Sequence, residues 1–120
     1  MKVMIVVTAR EGAPAPSEAQ PNGMHRYNSA LAHAGVLLAG DCLEPTARAK
    51  RVEVSGRSRR VVDGPFPTAN VAGYWLLQVR SMDEAVAWAL RCPNPWPGED
   101  VALEVRPVLE AGLGAQADLR

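Results

Sequence analysis

At 120 residues the chain has room for one domain with a modest core, since a chain of this size buries about two thirds of its unfolded surface. Thirteen lysines and arginines balance thirteen aspartates and glutamates, so no global field draws in a polyanion and nucleic acid is not an expected partner. Met1 to Thr8 is apolar but short, with Arg10 and Glu11 directly behind it and no small-residue cleavage pattern, which argues against a membrane span and predicts a cytoplasmic protein.

Residues 2 to 8 read as a buried strand near the centre of a sheet, because Val and Ile suit a pleated, packed surface. A polar, proline-rich segment from Glu11 to Gly23 then leads to a helix over about 24 to 34, where Met24, Tyr27, Leu31 and Ala34 recur at three- and four-residue spacing. Gly35 is placed to end that helix in the left-handed conformation, and the strand Val36 to Ala39 follows at once.

Ala49 to Ser55 and Arg59 to Val62 alternate around Gly56 as a hairpin. Its basic runs, Arg48 to Arg51 and Arg57 to Arg60, are interrupted by Glu53 and carry no interleaved aromatics, as expected of a solvated ribbon rather than a base-stacking surface. Val71 to Val79 is the strongest strand signal. It hands over to Ser81-Met82-Asp83-Glu84, a capping box opening a helix over about 82 to 91, with Met82, Ala85, Val86 and Ala89 in one stripe and Leu90 beside it. Pro93 stops that helix, Trp96 sits between two prolines in a loop where it offers a lid or a packing contact with a partner, and Val101 to Arg106 is the last strand. The domain spans 1–110, leaving a tail at 111–120 with little periodicity. Strand, helix, strand, hairpin, strand, helix, strand is the order of a ferredoxin-like α+β sheet with an inserted hairpin. Both helices cover one face, so an apolar opposite face predicts a homodimer.

The run Val62-Asp63-Gly64-Pro65-Phe66-Pro67 supplies the first candidate for a reactive group. Gly64 tolerates unusual backbone angles and Pro65 fixes its own φ, so the direction of the Asp63 carboxylate is set by the backbone. The competing reading is an ordinary turn in which Asp63 accepts backbone N–H bonds. Cys42 and Cys92 lack metal-ligand spacing and are expected as free thiols. The glycines are dispersed rather than clustered in a phosphate loop, and no nucleophile elbow is present, so neither metal nor cofactor is expected.

Taken together, Val62 to Phe66, Ala72 to Val79, Ser81 to Ala85, Trp88, Arg91-Cys92-Pro93 and Glu104 to Pro107 resemble the YCII-related proteins of the DGPF type. The resemblance runs from Met1 to about Glu110. It implies a ferredoxin-like homodimer whose sheets face each other, a dimeric α/β barrel with an inserted hairpin, and a cleft in each protomer. Relatives with known chemistry include a dechlorinating enzyme, and in the YCII branch a histidine on the first helix and an aspartate in the cleft form a proposed catalytic pair. Counting back from Gly35, that histidine falls on Met24, with His25 the next residue, and one helical step turns a side chain by about 100°. Asp63 matches the aspartate by its place after the hairpin. Where an acidic residue and a lysine commonly follow Phe66, this chain has Pro67-Thr68-Ala69-Asn70.

The expected catalytic pair is therefore Asp63 with His25, the carboxylate fixing the imidazole tautomer for proton transfer in lyase- or hydrolase-like chemistry. Tyr27 and one of Tyr74 and Trp75 are expected to flank a small organic ligand, since Tyr74 and Trp75 point to opposite sheet faces. The alternatives are a dimer that binds a small molecule or regulatory partner without catalysis, and a structural dimer with a degenerate site.

Overall fold

A computed structural model describes residues 1–67 and 70–110; the tail expected at 111–120 lies outside the described residues. The elements run β1 (Lys2–Ala9), α1 (Pro16–Ala19), α2 (Pro21–His33), β2 (Leu37–Cys42), a 3₁₀ turn (Thr46–Arg48), β3 (Lys50–Ser55), β4 (Ser58–Asp63), β5 (Asn70–Gln78), α3 (Met82–Leu90) and β6 (Leu103–Pro107). The fold is α+β: a four-stranded sheet in the order β2-β5-β1-β6 and a separate two-stranded sheet of β3 and β4. β5 is antiparallel to β1 and β2, and β1 is antiparallel to β5 and β6. β1 and β2 thus run the same way on either side of β5, joined through α2, while β5 and β6 flank β1 and are joined through α3. Two βαβ units interlock, and β1 takes the interior position its apolar run predicts.

The period of two in β1 sorts its side chains. Val3, Ile5 and Val7 are buried, whereas Met4, Val6 and Thr8 on the other face are half-buried. Ile5 stands opposite Trp75 on β5 and Val105 on β6, and Val3 stands opposite Leu77. Met24, Tyr27 and Leu31 of α2 and Ala85 of α3 complete the core above this row. On the opposite face Met4 pairs with Leu76 and Val6 with Tyr74, and the neighbouring strands add Ala39 and Asp41 on one side and Glu104 and Arg106 on the other.

Helix ends follow local chemistry. Gly35, at φ 74°, closes α2: its N–H donates to the Ala32 carbonyl and that of Val36 to the Leu31 carbonyl. At α3 the Ser81 hydroxyl accepts from the Glu84 N–H at 3.2 Å, but the Glu84 carboxylate accepts from Arg80 at 2.7 Å, so half of the expected capping box forms.

Three expectations are corrected. The segment from Glu11 to Gly23 contains α1 and the first turn of α2, because Pro16 and Pro21 stand at helix starts where the missing N–H costs nothing. In α3, Ala85 is fully buried with Met82, Trp88 and Ala89 half-buried, while Val86, a single helical step away, is 42 % exposed and Leu90 82 % exposed. Trp96, expected as a lid or a packing contact with a partner, is instead buried in its own chain, its indole N–H donating to the Pro14 carbonyl at 2.9 Å. Among the described residues no helix is long and apolar enough to cross a membrane.

Candidate functional site

The hairpin register runs from Ser55 opposite Ser58 to Lys50 opposite Asp63. That places an ammonium directly across from the suspected catalytic carboxylate, and Lys50 Nζ donates to Asp63 Oδ1 at 2.6 Å. Both side chains are exposed, Asp63 at 74 %. Among the described residues Asp63 accepts from the neighbouring strand and from no backbone N–H of its own turn.

Other groups hold that turn. The Gly64 N–H donates to the Ala49 carbonyl at 2.8 Å, the Phe66 N–H to Thr46 Oγ1 at 2.9 Å, and Asn70 Nδ2 to the Phe66 carbonyl at 2.7 Å. Phe66 is buried under the Arg51 guanidinium, which lies 4.0 Å from the ring centre. Gly64 is required by space, since a Cβ there would overlap the Thr46 carbonyl. Behind the turn a water-sized space of about 20 Å³ is lined in part by Asn70, whose buried Oδ1 has no hydrogen-bond partner among the described residues; the room suits one water.

His25 is exposed on α2, beside the buried Met24. Among the described residues it makes no hydrogen bond or ion pair, so none joins it to Asp63. The residues that do meet are Tyr27 and Trp75, whose rings pack edge to face with centres 5.1 Å apart. The Trp75 indole N–H donates to Asn28 Oδ1 at 2.7 Å, and the Tyr27 hydroxyl donates to the Trp88 carbonyl at 2.6 Å. Burial pushes the Tyr27 phenol well above its usual range, so it serves as a neutral donor. Tyr74 emerges on the other face, its hydroxyl 3.5 Å from Asp41 Oδ2.

Between α2 and the β2 edge of the sheet lies a cleft of about 60 Å³ whose lining includes Met24, Asn28, Asp41, Cys42, Tyr74 and Trp75. It brings together one carboxamide, an exposed thiol and an indole wall, while the Asp41 carboxylate lies beside Tyr74 on the other sheet face. The second thiol, Cys92, is half-buried away from it, and burial pushes its pKa up to about 12, which keeps it protonated and unreactive at neutral pH. Asn28 was not among the ligand-site residues expected from sequence. It is one turn beyond Met24 on α2, so helical spacing carried the signal.

This geometry separates the parts of the Asp63 turn. Asp63→Ala removes an exposed ion pair and is expected to cost no more than about 1 kcal/mol. Phe66→Ala is expected to cost about 3–5 kcal/mol, and Gly64→Ala at least about 1–3 kcal/mol by overpacking. Urea unfolding midpoints of the three variants measure the order; a loss at Asp63 equal to that at Phe66 would contradict it.

A family model for the YCII-related domain matches residues 1–111, and none of the curated proteins matches the chain. The match takes in the whole sheet, both long helices, the hairpin and the Asp63 turn, and on that ground the chain belongs to the YCII-related domain family.

Proposed function

We propose that this YCII-related protein is a homodimer that binds a small organic molecule without proton-transfer catalysis, holding it in the cleft between α2 and β2. The observation carrying this reading is the composition of that cleft. Met24 stands in it at the place where the family resemblance puts a histidine, while Asp63 is engaged with Lys50 on the hairpin. A general acid or base must come within hydrogen-bond reach of the proton it moves. The cleft instead offers recognition groups: the Asn28 carboxamide presents an N–H₂ group, Cys42 a thiol, and Trp75 a flat apolar wall. A His25–Asp63 enzyme would require Asp63 to exchange Lys50 for an imidazole one helical step out of place.

The dimer is supported by the sheet face away from the helices. Met4, Val6, Tyr74 and Leu76 form an apolar centre there, half-buried in one copy, and pairing two such ferredoxin-like sheets face to face as a dimeric barrel would withdraw all four from water.

Amide and indole NMR spectra during titration with phenol and with acetamide test the ligand site. The expected shifts centre on the Trp75 indole N–H, the Asn28 side chain and Cys42, and weaken in Asn28→Ala. Shifts centred on His25 and Asp63, or none at the cleft with either probe, would reject the reading. For the assembly, sedimentation at micromolar concentration is expected to give a dimer that Leu76→Lys dissociates; a monomeric wild-type protein contradicts it.

A further inference from the structure

On the other flank of α2, a groove facing the end of α3 is lined by Gly23, Arg26, Tyr27, Ala30, Arg91 and Pro93. The first four lie three or four residues apart on one helical stripe. Gly23 and Ala30 contribute almost no side chain, which leaves about 230 Å³ beside two guanidiniums, with no carboxylate in the lining. Elsewhere in the chain Arg10, Arg48, Arg60 and Arg80 each meet a carboxylate at 2.6–3.1 Å. The Arg26 side chain makes no hydrogen bond or ion pair among the described residues. Nor does the Arg91 guanidinium, whose carbon lies 4.3 Å from the centre of the Trp88 ring. Stacking on a ring face orients the guanidinium while leaving its N–H edge available.

Two further features remove the usual objections to an anion here. The carbonyl end of α3 is electronegative, but the Trp88 carbonyl already accepts from the Tyr27 hydroxyl at 2.6 Å and from the Arg91 N–H at 3.0 Å. α2 begins at Pro21 with no side-chain cap and no acidic residue in its first turn, so the positive end of its dipole near Gly23 is not neutralised from within.

We propose that this groove binds the doubly charged oxyanion group of a small molecule, a phosphate monoester or a dicarboxylate, with Arg26 and Arg91 donating to it from opposite walls. A guanidinium presents paired N–H donors matched to the oxygens of either group, and two of them balance a dianion.

NMR of amide and arginine Nε–H signals tests this, titrating phenyl phosphate, inorganic phosphate and succinate at constant ionic strength. Expected are saturable shifts at Gly23, Arg26, Ala30 and Arg91, with affinity falling about tenfold or more in Arg26→Gln and in Arg91→Gln. Unchanged spectra away from the groove show that each variant is folded. Saturation by the phosphates alone assigns a phosphate ester, and by succinate alone a dicarboxylate. Linear shifts spread over Arg57 and Arg80 as well would mean an adventitious ion only and overturn the proposal, as would wild-type affinity in Arg26→Gln.

Discussion

The placement of the Trp75 indole constrains most of this structure. Trp75 leaves β5 toward α2, and the β2 residue opposite it is Gly40, where a Cβ would come within 3.0 Å of the indole. Its ring packs against Tyr27 and its N–H is taken up by Asn28, so β5 is joined to α2; the Tyr27 hydroxyl then joins α2 to the Trp88 carbonyl of α3. Each of these polar atoms would cost about 1–3 kcal/mol if buried without a partner. Strand alternation extends the consequence to the far side of the sheet. With Trp75 and Leu77 turned inward, Tyr74 and Leu76 must face out, and they meet Val6 and Met4 there. One ring thus sets a wall of the cleft between α2 and β2 and the composition of the sheet face proposed for a dimer.

The Asp63 turn follows a different logic. Its glycine and phenylalanine are fixed by backbone contacts, burial and the Arg51 guanidinium, whereas its aspartate reaches outward to a lysine at the surface. A short sequence signature can therefore mark a conformational device whose most chemically suggestive residue is its least constrained one. The candidate recognition groups lie instead on α2 and β2, where Asn28 and Cys42 are positioned by regular elements rather than by a loop.

Much of the fold was legible because β1, β5 and α2 carry strong periods. The order of elements, the interior place of β1, the Gly35 helix end and the opposed directions of Tyr74 and Trp75 all follow from spacing and alternation. α1 was not legible, since four residues beginning at Pro16 carry no readable period. The partner of Asp63 lay within reach: closing the hairpin with the two residues Gly56 and Arg57 puts Lys50 opposite Asp63, but the sequence gives no clear end for either strand. Cleft membership was harder to read, because it depends on how far α2 sits from the sheet edge. The half-formed cap at Ser81 shows the same limit, since the Glu84 carboxylate had two donors to choose between and took Arg80.

A double-mutant cycle on Asn28→Ala and Trp75→Phe tests the central junction most directly. Each change removes one partner of the 2.7 Å hydrogen bond, and urea unfolding of the two single variants and the double variant isolates their coupling. A coupling of about 0.5–1.5 kcal/mol is predicted for this partly buried bond. Additivity within about 0.3 kcal/mol would mean that Asn28 does not hold the indole, and the cleft wall built on it would fall with that result.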